Sequence, residues 1–364
     1  MSGPQTAATS HPETSPPSES AAGPATEAIG APKTILVYVG AELIGDGLLK
    51  LPFLRALRNA FPSARVTWLA GKARTVFAHK LAPLVAGLID EVIEDAGIGH
   101  SLTEVMGRPL PERQFDLILD TQRRVVTTLA VRRIRHRQFV SACAGYVFSD
   151  VKPPGRSPLS NRKPPAMIDQ MLELIALAQS GRPNAPLDTG GLPALPESIA
   201  AEAARLLPDG RDYVALSPGA GSRNKCWPLD SFEALGQELL QNGLVPVFTL
   251  GPNEQEWYER LRETLPEARF PMQESQAGAD MEPLATIAIA ARCRVCVAND
   301  SGGGHLLAAS NSPLVSLFGP TSPAKFAPRV PCLTVIEATT YGSREVSAIP
   351  VEAVLAAVKA ALSG

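Results

Sequence analysis

At 364 residues, 45% of them hydrophobic, this chain is long enough to bury two ordinary cores. A formal net charge of -2 and an aromatic share of 5% exclude a globally basic nucleic-acid binder and a stacking platform for single strands. Five scattered cysteines (Cys143, Cys226, Cys293, Cys296 and Cys332) exclude a secreted disulfide framework.

Residues 1–32 are rich in Pro, Ser, Thr, Ala and Gly, with no basic start leading into an apolar stretch. That composition predicts a disordered tail rather than a signal peptide. No later stretch reaches the roughly 18–20 uninterrupted apolar residues of a spanning helix. The expectation is a soluble cytoplasmic protein, with peripheral attachment to a membrane left open.

Ordered structure begins at Thr34-Ile35-Leu36-Val37-Tyr38-Val39, a β-branched run that stops at Gly40. A loop with Gly45-Asp46-Gly47 follows, and then a helix over 48–57. Asp46 reads either as a turn or N-cap aspartate or as a general base facing a ligand cleft. Further strands are predicted at 65–70, 88–93 and 116–120, the last closing the first series. After it come Arg123, Arg124, Arg132, Arg133, Arg135 and Arg137, with His136. These form either a solvated helix face or a surface for an anionic acceptor or acidic lipid.

A Pro- and Gly-rich region over 180–210 interrupts the rhythm, which restarts at Tyr213-Val214-Ala215-Leu216-Ser217. Strands are predicted at 245–250, 294–298, 314–318 and 333–336, and an amphipathic helix over 351–362 acts as a cap. Cys293 and Cys296 lie in a strand-like run, where residues three apart point to opposite faces and cannot share a metal. Strands alternating with helical spacers imply parallel crossovers, hence two Rossmann-like α/β halves with a ligand cleft at their carboxyl ends.

The second half carries the motifs. Ser217-Pro218-Gly219-Ala220-Gly221-Ser222-Arg223-Asn224-Lys225 is a glycine-rich turn between strand and helix. Its Ser222 and Lys225 can wrap diphosphate oxygens, or the turn is an ordinary connection. Val297-Ala298-Asn299-Asp300-Ser301-Gly302-Gly303-Gly304-His305 runs from a buried strand through three glycines into an apolar helix. Glycines there allow close approach of a ligand, and the N–H groups of the first helical turn favour an anion. Asp300 or Ser301 also suits a plain helix N-cap. Thr321, in Gly319-Pro320-Thr321, offers a hydroxyl at the next strand end, either to phosphate or to the turn itself.

Together these residues resemble glycosyltransferase family 9, the heptosyltransferases of bacterial lipopolysaccharide, over roughly residues 33–362. The likeness rests on Pro218-Gly219-Ala220 followed by Lys225-x-Trp227-Pro228, on Asp300-Ser301-Gly302-x-x-His305, on Gly319-Pro320-Thr321, and on Leu43-Ile44-Gly45-Asp46 with Leu51-Pro52. It implies a GT-B fold, two Rossmann-like domains across a cleft: an acceptor domain over 33–185, a linker over 186–210 and a nucleotide-sugar donor domain over 211–364. It implies inverting, metal-independent transfer without a cofactor, with ADP-heptose as donor and a lipopolysaccharide or related glycan as acceptor. Asp46 matches the proposed base and Lys225 the pyrophosphate-binding lysine. Glu254 falls where the family binds ribose hydroxyls, and Asp300, Ser301, Gly302 and His305 fall on donor-phosphate positions, with Gly303 and Thr321 beside them. Arg123 and Arg124 are the candidates for an anionic glycolipid or glycan acceptor. Gly303, Gly304, Lys50 and Gly47 depart from the family's usual residues. Two alternatives stand beside this reading: a non-catalytic nucleotide-sugar-binding protein of the same fold, and an NAD-dependent oxidoreductase, for which neither half offers an intact G-x-G-x-x-G.

Overall fold

Two parallel five-stranded sheets organise the chain. The computed structural model describes residues 31–99, 101–154, 164–182, 187, 195–251, 254–278 and 281–363. All but the end of the predicted 1–32 tail therefore lies outside the described residues.

The first half runs β1 (Thr34–Val39), α1 (Ile44–Leu49), α2 (Leu51–Ala60), β2 (Arg65–Ala70), β3 (Glu91–Ile93), α3 (Leu102–Met106), β4 (Gln114–Asp120), α4 (Val125–Arg132), β5 (Arg135–Ser141) and α5 (Met167–Ser180). Its strand order is β3-β2-β1-β4-β5. After α6 (Glu197–Leu206), the second half takes up β6 (Tyr213–Ser217), α7 (Leu229–Gln241), β7 (Val245–Phe248), α8 (Gln255–Thr264), α9 (Pro271–Glu274) and α10 (Glu282–Ala291). It ends with β8 (Val295–Asn299), α11 (Gly302–Ala309), β9 (Leu314–Phe318), α12 (Pro323–Phe326), β10 (Leu333–Glu337) and α13 (Val351–Ser363), in strand order β10-β9-β8-β6-β7.

The central strands β1, β6 and β8 are apolar and buried nearly end to end, as parallel strands covered by helices on both faces must be. Residues Ala31–Gly364 form one compact unit. Leu48, Leu51 and Leu54 share a single apolar cluster with Leu284, Leu307 and Ala308, so the inner helices of the two halves pack on one another.

The structure departs from the sequence reading in four places. The first sheet does not close at β4: residues 135–141 add β5 at its edge. Arg135, His136 and Arg137 thus open a strand rather than decorate a helix. The predicted strand over 88–93 shrinks to β3. Gly45-Asp46-Gly47 lies inside α1 rather than in a loop, and the helix breaks at Lys50 because Pro52 opens a new one. Finally, the stretch read as linker contains α6, whose Ile199, Ala203 and Leu206 are buried where it packs on α10.

Candidate active site

Each sheet has a point where the chain's winding reverses, between β1 and β4 in the first and between β6 and β8 in the second. Loops leaving such neighbouring strands diverge to opposite faces and open a crevice at the carboxyl edge. The segment after β1 carries Asp46, and the loop after β4 carries Arg123 and Arg124. The loop after β6 carries Ser222 and Lys225, and the one after β8 carries Asp300 and Ser301. Packing of α1 on α11 brings the crevices together. A Cβ added at Gly45 would stand 3.3 Å from His305 Cδ2 and 3.4 Å from the Gly302 Cα, so the two halves meet backbone to backbone at this point.

In the second half, Asp300 is the hub. Its Oδ2 accepts a hydrogen bond from Thr321 Oγ1 at 2.5 Å and lies 3.6 Å from Lys225 Nζ. Thr321 therefore directs its one hydroxyl hydrogen at Asp300. The Asp300 carboxylate, which would repel a phosphate, instead holds Lys225 in place. Ser301 caps α11, its Oγ accepting from Gly304 N at 3.2 Å, while the first-turn N–H groups of Gly302 and Gly303 lack an intrahelical acceptor. The glycines divide their work. A Cβ at Gly303 would meet Ser217 Oγ at 2.4 Å and one at Gly304 would meet Asn299 O at 2.6 Å, whereas Gly302 faces open space. Packing on β6 and β8 thus accounts for the two family departures here.

Asn299, which the sequence reading treated only as a strand tip, ties the two loops together. Fully buried, it accepts from Trp227 N at 2.9 Å and donates to Pro218 O at 2.8 Å, bracketing the turn that holds Lys225. Glu254 sits against the same turn. Its Oε2 accepts from Gly251 N at 3.0 Å, and a Cβ at Gly219 would collide with its carboxyl carbon at 2.6 Å. Burial raises the Glu254 carboxyl above the usual range, while the Gly251 N–H and Arg223 draw it back down. A neighbouring hollow of about 260 Å³, lined by Leu250, Gly251, Met272 and Glu282 among others, adjoins it. Ser222 is exposed and donates to Asn224 Oδ1 at 2.7 Å.

On the other side lies a cavity of about 570 Å³, lined by Asp46, Lys50, Asp120, Arg123, Arg124, Gln170 and Lys325 among others. Asp46 is the third residue of α1, and its Oδ2 accepts from Leu43 N at 3.2 Å. The helix-cap role is thus present, and the same residue also faces the cavity. Burial holds the His305 imidazole below its ordinary value, opposed by the charges of Asp300 and Asp46 and assisted by Lys225. Charges from both halves therefore act on one imidazole. Three other residues of the basic cluster are engaged elsewhere: Arg132 pairs with Asp150 at 2.6 Å, Arg137 with Asp116 at 3.5 Å, and Arg133 donates to Gly107 O at 3.3 Å.

Residues 104–349 match the model of the family described as glycosyltransferase family 9 (heptosyltransferase). The chain belongs to glycosyltransferase family 9. It is 24% identical over 324 residues to lipooligosaccharide heptosyltransferase 2 of Haemophilus influenzae, covering 83% of this chain and 88% of that one. Among solved structures, a family 9 glycosyl transferase from Veillonella parvula superposes with a TM-score of 0.68 at 20% identity, over 91% of this chain and 97% of the other. The E. coli ADP-heptose lps heptosyltransferase II gives 0.64 at 22% identity, over 91% and 98%. The fold is GT-B, and the enzyme is a glycosyltransferase, which removes the oxidoreductase alternative.

Two buried groups of this glycosyltransferase have no counterpart in the sequence reading. Glu42, in the loop after β1, holds Lys50 Nζ, Trp68 Nε1 at 3.2 Å and Thr75 Oγ1. Lys50 is therefore one side of an internal ion pair. Gly47 is explained alongside it, since a Cβ there would meet Val76 Cγ2 at 2.5 Å. Asp120, at the tip of β4, accepts from Thr128 Oγ1 at 2.6 Å, Ser141 Oγ at 2.9 Å and Gln122 N at 2.9 Å, and so anchors the turn that leads to Arg123. A lone polar residue ending an apolar run was the signal available for both Asn299 and Asp120.

Complete burial pushes the Asp120 carboxyl from 3.8 up to about 6. Between those values the native chain holds more protons here than the unfolded chain. This site's contribution to stability is then fullest below about pH 4 and is lost as pH rises through about 6. Asp120→Asn is expected to flatten that part of the stability profile. Urea midpoints measured across the window check it, and superimposable profiles would show that Asp120 does not titrate there.

Among the described residues, no helix is long and apolar enough to cross a membrane.

Proposed function

We propose that this chain transfers a heptose from ADP-heptose, with inversion, onto an anionic glycan of the lipopolysaccharide or lipooligosaccharide type. The first half, over 33–185, takes the acceptor, and the second, over 211–364, takes the donor. The reading draws its substrates from the named relatives. Its chemistry is supported by one observation above the others: the packing of α1 on α11, which sets the segment carrying Asp46 against Gly302 and His305, with Lys225 held by Asp300 in the same half as that helix.

In the proposed reaction the acceptor hydroxyl oxygen attacks the anomeric carbon. The bond from that carbon to the diphosphate oxygen breaks, ADP leaves with the electron pair, and Asp46 takes the hydroxyl proton. Charge grows on the departing diphosphate. Lys225 and the N–H groups of Gly302 and Gly303 lie at the helix terminus where such charge is stabilised, so transfer needs no metal. Asp300 and Thr321 act through Lys225. Glu254 takes the ribose hydroxyls, and the hollow beside it takes the base. His305, Ser301 and Gly303 line the diphosphate, with Ser222 at its rim, while Arg123 and Arg124 meet the acceptor. A lipid-anchored acceptor places the enzyme on the cytoplasmic face of the inner membrane.

A thermal-shift screen of ADP, UDP and GDP tests the donor, followed by transfer from ADP-heptose onto a truncated lipopolysaccharide. Stabilisation by ADP above the other two is expected, and a preference for UDP or GDP overturns the donor assignment. ADP binding without turnover on any truncated core returns the non-catalytic alternative. Lys225→Ala is expected to weaken ADP binding about 10- to 100-fold, the range for loss of a charge-assisted contact. Unchanged affinity by calorimetry removes Lys225 from the diphosphate site.

A further inference from the structure

The cavity that contains Asp46 is not built by the first half alone. Besides residues from the β1, β4 and β5 tips and from α5, its lining includes Lys325 of α12, in the second half. The other charges of the cavity are largely spent. Lys50 is engaged by Glu42, and Asp120 accepts from three donors. Arg123 and Lys325 are exposed cations that pair with no acidic side chain among the described residues. Lys325 is also held on station. Four residues on, Arg329 forms an ion pair with Asp169 of α5, the helix that supplies Gln170 and Met171 to the cavity wall. The chain just after α12 is thus tied to α5, and Lys325 lines the same cavity as residues of that helix.

We propose that Lys325 is an acceptor-binding residue contributed by the donor half, holding with Arg123 an anionic group, carboxylate or phosphate, on the acceptor sugar. The inference rests on the transferase reading above and narrows its acceptor to a sugar charged close to the accepting hydroxyl. Two cations without an acidic partner among the described residues, contributed by different halves to a cavity of about 570 Å³, within the usual range of small-molecule sites, favour a ligand that bridges them over a neutral one. Because the two cations belong to different halves, such an acceptor also draws the halves together.

Glucuronate, glucose 6-phosphate and glucose serve as probes, with binding followed by ligand-observed NMR while ADP saturates the diphosphate site. The full chain is expected to bind at least one charged sugar more tightly than glucose, and whichever charged sugar prevails identifies the group as carboxylate or phosphate. Lys325→Ala should weaken that sugar about three- to tenfold, the size of one partly exposed charge contact. Lys325→Glu should weaken it further, Lys325→Arg should restore it, and added salt should erase the preference. Equal binding of charged and neutral sugars, or a preference that survives Lys325→Glu, overturns the proposal. ADP affinity in each variant reports an intact fold. A parent chain that ignores ADP yet discriminates between the sugars counts against the donor reading and leaves the Lys325 assignment standing.

Discussion

Asp46→Asn slows sugar transfer by about 10²–10⁴-fold, the usual contribution of a positioned base, and leaves ADP affinity at the parent value. The substitution separates the two roles that the structure gives this residue. An asparagine oxygen still accepts the Leu43 N–H that the Asp46 Oδ2 receives at 3.2 Å, so the start of α1 and its packing on α11 persist. What is lost is a group able to take the acceptor proton. Donor binding draws on Lys225, Glu254 and the α11 terminus, none of which the change touches. The defect should therefore fall on kcat, read from steady-state transfer, while calorimetry with ADP stays unchanged. A variant that keeps its turnover confines Asp46 to capping the helix.

Lys50→Ala is expected to cost about 3–5 kcal/mol of stability, the range for removing one partner of a buried ion pair. Glu42 is wholly buried, with Lys50, Trp68 and Thr75 all directed at its carboxylate. Truncating the lysine leaves that negative charge facing two neutral donors inside the core. Glu42→Gln combined with Lys50→Met should recover most of the loss, because neither charge then remains to be compensated. Urea unfolding of the two variants and the parent measures both effects. Should Lys50→Ala unfold at the parent midpoint, the pair does not hold the fold. Residues 42 and 50 bracket α1, which carries Asp46, so the single variant should also transfer more slowly under conditions where it remains folded.

Much of this enzyme can be read along the chain because its signals are local. The runs 34–39, 213–217 and 314–318 are apolar for the length of a strand, and each coincides with one. Lys225 and Asp300 announce themselves as polar residues in glycine-rich turns after such runs. Where the reading slipped, a local signal was overridden by a partner distant in sequence. Residues 135–137 look like a charged helix face, yet their backbone completes a parallel ladder with β4, and the side chains turn to Asp116, Asp150 and solvent. At Gly303 and Gly304, Ser217 and Asn299 leave no room for a Cβ, a packing reason for glycine that no local pattern shows.

The α/β alternation, the two halves and the turns with groups fit for a diphosphate are thus legible along the chain, since periodicity and turn chemistry act over a few residues. Which of those groups meet is a matter of packing. Strand order sets the crevices where the windings reverse, and α1 seated on α11 sets the segment carrying Asp46 against Gly302 and His305. The fold likewise buries Lys50 against Glu42, joins two loops through Asn299, and sets Lys325 in the lining of the cavity that holds Asp46. The last two depend on contacts between residues far apart in the chain, and the first on a carboxylate that also gathers Trp68 and Thr75, so no local pattern encodes them.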